Sequence, residues 1–143
     1  MTTAAASSGA GILDTSVMIR FRLLPDPVSL PEVPLITAVT LAELSVGPLV
    51  ARDESERAAR LAHLQQAEAD FDPLPFDAAA ARAFGRVSAS LRRAGPKTTA
   101  RTYDAMIAAT ALANELPLYT CNPDDFVGIE RLDLVPVPAE DRQ

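Results

Sequence analysis

Among 143 residues there are one cysteine, one histidine and no tryptophan, and each shortage closes a route. A lone Cys121 forms no internal disulfide and builds no thiolate zinc site, and with His63 as the only imidazole no histidine-rich metal centre is available. Any metal here is held by oxygen. No apolar run approaches the roughly 20 residues of a membrane span. The small, polar stretch from Met1 to Ala10 lacks the basic start and apolar core of a signal peptide. These absences predict a soluble, cytoplasmic protein without a membrane partner. Positive charge is also short. A net charge of −6 repels nucleic acid at long range, so any such contact falls to local patches.

Hydrophobic residues make up 48% of the chain and aromatics only 5%, which suits helices packed on a buried sheet and argues against disorder. One domain is enough for this length. After a disordered tail over residues 1–10, Gly11 to Leu13 predicts a strand and Ser16 to Arg22 a short helix, before Pro25, Pro27 and Pro31 impose a loop. Val33 to Thr37 reads as a second buried strand. A helix from Ala38 follows and must break at Gly47-Pro48. Asp53, with Glu56 three residues on, predicts a capping-box variant at the head of a helix that reaches Asp70. Pro73 to Phe76 is extended, an edge strand at most, because proline cannot donate to a ladder.

Asp77 then caps a helix with Ala80, Phe84, Val87 and Leu91 on one face and Arg82, Arg86 and Arg93 on the other, ended by Gly95-Pro96. Thr102 is placed to cap a helix from Tyr103 to Asn114, and strands follow over Leu116 to Thr120 and Leu132 to Val135. Strands alternating with helices imply a parallel sheet covered on both faces.

Acids and amides recur where these units end. Asp14 follows the first strand, Glu43 lies in the helix after the second, Asp104 opens a later helix, and Asn122 to Asp125 follow the third strand. In a parallel sheet such positions meet at the carboxyl edge, where open α/β folds bind ligands. Magnesium and manganese prefer oxygen donors, and phosphodiester cleavage needs an ion that stabilises phosphate charge and activates water.

Each residue also has a plainer reading. Asp14 can cap the following helix, Glu43 can complete a capping box with Thr40, and Asp104 can complement a helix dipole. Asn122 can make an Asx turn before Pro123, with Asp124 or Asp125 capping a short turn. Glu43 shares a face with Val39, Val46 and Val50, which predicts partial burial, and Asp104 shares one with Ile107, Ala108 and Ala111. Singly, the plainer readings stand. Together, four oxygen donors at the ends of successive units go unexplained by unrelated caps.

Leu13-Asp14-Thr15-Ser16, the element from Thr40 to Leu44, Asp104-Ala105-Met106-Ile107-Ala108-Ala109-Thr110-Ala111 and Thr120-Cys121-Asn122-Pro123-Asp124-Asp125-Phe126 follow the order of four signature segments. The chain thereby resembles the PIN-domain ribonucleases, and among them the VapC-type toxins of bacterial toxin–antitoxin pairs. Leu74-Pro75-Phe76-Asp77 adds to the likeness, which spans residues 11–137 as the domain and leaves 138–143 as a C-terminal tail.

The resemblance implies a three-layer α/β/α PIN-like domain with a mainly parallel sheet, acting as a magnesium-dependent endoribonuclease, with manganese able to substitute. It implies attack of a metal-activated water on an RNA phosphodiester, a cognate VapB-type antitoxin and a homodimer. Asp14 and Asp104 would be direct metal ligands, and Glu43 would complete the cluster directly or through water. The fourth family position falls on Asn122, with Asp125 the neighbouring acid of the same motif. An uncharged Asn122 leaves one metal or two open. The alternatives are a catalytically silent PIN-like binding module and a housekeeping PIN nuclease. A phosphorelay receiver, which also gathers acids at a sheet edge, needs a lysine after a late strand, and the only lysine, Lys97, precedes a helix instead.

Around the acids, Ser16 or Thr15 could hydrogen bond near the metal. Arg82, Arg86, Arg93, Lys97 and Arg101 form the one basic concentration, suited to RNA phosphates, although for Arg82 and Arg86 a solvated helix face is the favoured reading. Tyr103 could stack on a base or pack. His63 belongs to the surface or the core margin, and Cys121 reads as a small strand-end residue. Phe21, Leu23, Leu24 and Leu30 suit either an apolar groove for an antitoxin helix or homodimer, or the core.

Overall fold

The computed structural model describes residues 9–20, 29–95 and 101–138. In chain order it contains β1 (Ala10–Leu13), α1 (Thr15–Arg20), β2 (Val33–Leu35), α2 (Ala38–Val46), α3 (Glu54–Asp70), α4 (Ala78–Ala94), α5 (Thr102–Ala113), β3 (Leu118–Thr120) and β4 (Leu134–Pro136). Single 3-10 turns follow α2, over Gly47–Val50, and β3, over Pro123–Phe126. Every ladder is parallel and the strand order is β2-β1-β3-β4, with Ile12 opposite both Leu35 and Leu118. All strand ends that precede helices or turns therefore lie at one edge.

Successive residues of a strand face opposite sides, and β1 divides the core accordingly. Ile12 packs with Ile107, Ala108 and Ala111 of α5, and Leu13 with Val17 and Met18 of α1 and Ala67 of α3. α2 reaches both sides, with Val39 in the first group and Leu44 in the second. α4 lies on α5 rather than on the sheet, placing Ala83, Val87 and Leu91 against Ala105 and Ala109. The alanines of α5 let that helix sit sandwiched between sheet and helix. Full burial of Ile12, Ile107 and Leu118 contributes roughly 1.5–3 kcal/mol each. The result is a three-layer α/β/α arrangement, as expected from the alternation of elements.

Element boundaries differ from the sequence expectation where local hydrogen bonds decide. β1 takes in Ala10, one residue ahead of Gly11, and α1 starts at Thr15 rather than Ser16. β3 starts at Leu118 because the preceding Leu116 N–H bonds back to Ala111 O and closes α5. Leu74 forms an isolated bridge to Thr37, bonding Ile36 O and Ala38 N, so the edge-strand reading reduces to one pair between prolines. The capping box of α3 is altered as well. Asp53 accepts from Glu56 N, but the Glu56 carboxylate returns to Arg52 N.

Thr102 does not cap α5: it lies inside the helix, and Arg101 occupies the cap position without a side-chain cap bond. Phe21, Leu23, Leu24, Pro25, Pro27, Pro96, Lys97 and both terminal tails lie outside the described residues, apart from Gly9, Ala10 and Pro138. Leu30 is half-buried and packs against the Leu13 side of the core. Among the described residues no helix is long and apolar enough to cross a membrane.

Candidate active site

Asp14 leaves β1 and is 4% exposed. Its Oδ1 accepts from Ser16 Oγ at 2.6 Å and from Val17 N at 3.0 Å, so the helix-capping reading is correct as far as it goes. Burial raises its pKa despite those bonds and one from Thr120. A carboxylate used only as a cap has no reason to be buried against other acids, and Asp14 is. Its charge helps raise the pKa of Glu43, behind the larger effect of burial.

Glu43 projects from α2, where Thr37, not Thr40, is the N-cap: Thr37 Oγ1 accepts from Thr40 N at 3.1 Å. The capping-box reading of Glu43 therefore fails, because Thr40 is already helical. Glu43 Oε1 instead accepts from Thr15 Oγ1 at 2.6 Å, and the same hydroxyl lies 3.0 Å from Thr40 Oγ1. Glu43 is half-buried, but Val46 and Val50, expected on its buried face, are 45% and 61% exposed. Val46 is exposed while still within α2, and the turn at Gly47–Val50 ends the helical register before Val50.

Asp104 sits half-buried in the first turn of α5, whose Ile107, Ala108 and Ala111 face the core. Its pKa is pushed up to about 6, first by burial and then by the charges of Asp125, Glu43 and Asp14, with Arg101 opposing. This one group feels acids from three other places in the chain: the β1–α1 junction, α2 and the turn after β3. Dipole compensation alone would lower its pKa rather than raise it.

The turn after β3 separates the two candidates for the fourth position. Asn122 is exposed; its N–H donates to Thr120 Oγ1 at 2.9 Å, its carbonyl accepts from Asp125 N, and its side chain caps nothing, so the Asx-turn reading fails. Asp125 is half-buried, is felt by Asp104, and pairs with Arg101 Nη1 at 3.0 Å. Of the two, Asp125 is the one brought to the acids.

Three groups near the acids have partners that only the tertiary structure shows. Ser16 joins two strand ends, bonding Asp14 and accepting from Cys121 N at 3.1 Å. Arg101, read from the sequence as an RNA contact, is instead engaged with Asp125 and with Asp124 O at 3.2 Å. His63 is half-buried and shares with Glu43, Thr15 and Arg60 a cleft of about 280 Å³, a tertiary neighbourhood that no local pattern reveals. The Cys121 thiol is pushed up by burial, which outweighs a hydrogen bond from Arg20 and leaves it poorly nucleophilic.

The remaining arginines of the basic concentration lie elsewhere. Arg86 and Arg93 line a cleft with Pro117 and Asp133, residues that precede β3 and β4, at the edge of the sheet opposite Asp14. Arg93 bonds Glu130 there at 3.1 Å.

The carboxylates themselves offer oxygen donors, which suit a hard divalent cation. Among the described residues no three Asp, Glu, His or Cys side chains are gathered to hold one ion between them. A magnesium-like ion needs no such group, since it keeps several waters and takes only one or two carboxylates directly.

The PIN domain model matches residues 12–132. Ribonuclease VapC5 of Mycobacterium tuberculosis is 40% identical over 129 residues, covering 85% of this chain and 88% of that protein. Ribonuclease VapC of Rickettsia bellii is 29% identical over 133 residues, covering 91% and 98%. Among solved structures, VapBC-5 of Mycobacterium tuberculosis, from the VapBC family of toxin–antitoxin systems, matches with a TM-score of 0.77 at 39% identity, covering 92% of this chain and 99% of that one.

Proposed function

The chain belongs to the PIN-domain family, and on that premise we propose that it is a VapC-type endoribonuclease, the toxin of a VapBC toxin–antitoxin pair, acting in the cytoplasm. Its site is Asp14, Glu43, Asp104 and Asp125, with Asn122 shaping the turn through its backbone. Asp14 and Asp104 would hold magnesium directly, with manganese able to substitute, and Glu43 would complete the set directly or through water. Support comes from the surroundings of Asp104, which is raised to about 6 first by burial and then by the charges of Asp125, Glu43 and Asp14, a cost that a bound cation would offset.

A divalent ion bound there offsets the phosphate charge and lowers the pKa of attacking water. The chain's own side chains hold the geometry. Ser16 and Val17 fix one oxygen of Asp14, and Thr15 fixes one oxygen of Glu43. Tyr103, half-exposed beside Asp104, offers a ring on which an RNA base can stack. A VapB-type antitoxin and a second copy of the chain are the proposed protein partners. Ile19, Val46, Leu49 and Val50, with Leu49 85% exposed, offer apolar surface for one of them.

The test is cleavage of RNA by the purified chain with magnesium, manganese or chelator, comparing wild type with Asp14→Asn and Asp104→Asn. Metal-dependent cleavage lost in both variants is the expected result, and equal cleavage by all three proteins sinks the site. Growth arrest on expression, relieved by the gene immediately upstream, separates a toxin from a housekeeping nuclease.

A further inference from the structure

α5 breaks a rule at its first residue. Ser, Thr, Asp or Asn is preferred at an N-cap, where Ala in their place costs about 1 kcal/mol. Arg101 stands there with no acceptor to offer and makes no cap bond, although Thr102 is next in sequence. A local rule broken beside a site calls for a compensating gain, and the Arg101 side chain has one. A single nitrogen, Nη1, lies 3.0 Å from Asp125 Oδ1 and 3.2 Å from the Asp124 carbonyl. Those bonds tie the 3-10 turn Pro123–Phe126 to the start of α5, three residues before Asp104. Both members of the ion pair are a little more than one-third exposed, so the pair sits at the rim of the acidic cluster rather than beneath it.

We propose that Arg101 is a positioning residue and the resident counter-ion of the acidic cluster: it holds Asp125 beside Asp104 and supplies the positive charge that a second divalent ion would bring, so that the site takes one ion. This rests on the reading of Asp14 and Asp104 as metal ligands. The charges are consistent with it. Four carboxylates and one guanidinium leave three formal negative charges, which one divalent ion reduces to one and two would overturn. The guanidinium also suits the place, since it stays protonated at any working pH and forks between a carboxylate and a carbonyl. Asp125 is thereby committed to an internal cation and is a poor candidate for direct ligation.

The experiment measures manganese binding to the purified full chain by titration calorimetry, alongside RNA cleavage and melting in chelator. Variants are Arg101→Ala, Arg101→Lys, Asp125→Asn and Asp14→Asn. Wild type is expected to bind one manganese. Arg101→Ala is expected to bind a second ion or to bind the first roughly three- to tenfold tighter, the order set by removing a partly exposed opposing charge, while cleaving RNA less well. Arg101→Lys keeps one ion, and Asp125→Asn, which removes a charge of the same size and the opposite sign, weakens manganese binding by a comparable amount, roughly three- to tenfold. The opposite movement of affinity and cleavage separates this role from a merely structural one, which would lower both along with the melting temperature. Unchanged or weaker binding in Arg101→Ala overturns the proposal, as does a loss of affinity in Asp125→Asn as large as that in Asp14→Asn, which would make Asp125 a direct ligand. The underlying metal-site reading has its own arm: it fails if wild type binds no manganese or if Asp14→Asn binds as wild type does, and the proposal then falls with it.

Discussion

At the carboxyl edge of the sheet, the charges of Asp125, Glu43 and Asp14 add to burial in raising the cost of ionising Asp104, whereas at the amino edge charge of both signs is mixed and paired. There, a cleft of about 850 Å³ is lined by Arg86, Arg93, Arg131, Glu115, Glu130 and Asp133 among others, and Arg93 meets Glu130 at 3.1 Å. Both edges gather acids. They differ in what balances the acids. An exposed pair such as Arg93 and Glu130, whose side chains are 61% and 68% exposed, contributes little to stability and asks for nothing more. Part-buried acids crowded at the other edge are a standing cost, of the kind that functional sites carry.

The largest expected effect comes from removing a charge at each edge and comparing. Asp104→Asn or Asp14→Asn is expected to lower metal-dependent RNA cleavage by about a hundredfold or more, since even outer-shell partners of a metal ligand are worth roughly 10–100-fold. Arg93→Ala and Glu130→Gln at the amino edge are expected to leave cleavage within about twofold, in line with an exposed pair. Kinetics on one RNA substrate decide it, and comparable losses at both edges would erase the distinction.

Next in size is the pH dependence of the metal-free protein. The Asp104 carboxyl titrates near 6 in the fold against 3.8 ordinarily. Its folded pKa is raised, so its contribution to stability is fully present below about 3.8 and is lost as pH rises through about 6. In chelator, the wild-type melting temperature is expected to fall relative to that of Asp104→Asn across this window, modestly because the group is half-exposed. Adding magnesium at neutral pH restores the loss in wild type and not in the variant. A wild-type profile parallel to that of Asp104→Asn would show that the acids do not repel as their geometry implies.

A smaller effect probes a hydroxyl. Thr15→Val removes the 2.6 Å bond to Glu43 and leaves that carboxylate half-buried with one partner fewer. Cleavage is expected to fall by roughly tenfold, as for outer-shell partners generally, with a stability change of about 1 kcal/mol. A variant with full activity would remove Thr15 from the working geometry.

Much of this was legible in the sequence because the signals were local. Apolar runs closed by Asp or Thr, the break at Gly47-Pro48, and the caps Asp53 and Asp77 depend on a few neighbouring residues, and Asp53 and Asp77 accept from N–H groups three residues on, as expected. The grouping of Asp14, Glu43 and Asp104 followed from parallel topology, which makes strand ends converge. What stayed hidden was decided by tertiary partners. Arg101 looks like any other basic residue until the turn after β3 folds back onto α5. The choice between Asn122 and Asp125 depends on which way a 3-10 turn presents its side chains. Thr40 and Glu43 match a capping-box pattern that fails because the helix starts three residues earlier, at a cap supplied by Thr37.

The smallest expected effect is a gain, and it lies at the amino edge. α5 ends in a pair of bonds from Glu115 N to Leu112 O and from Leu116 N to Ala111 O, and this closure requires a left-handed residue at position 115. Glu115 takes φ 55, a conformation that glycine adopts without strain, and it places a carboxylate at the negative end of a helix dipole. Glu115→Gly is therefore expected to raise stability by about 0.5–1 kcal/mol, the relief of strain outweighing the added freedom of the unfolded chain. In a domain of this size that is roughly 2–4 °C in melting temperature. Because Glu115 lies across the sheet from the acids, cleavage and manganese affinity are expected to stay at wild-type values. If stability rises while cleavage falls, the left-handed carboxylate is retained for a role, and the amino edge is more than solvated surface.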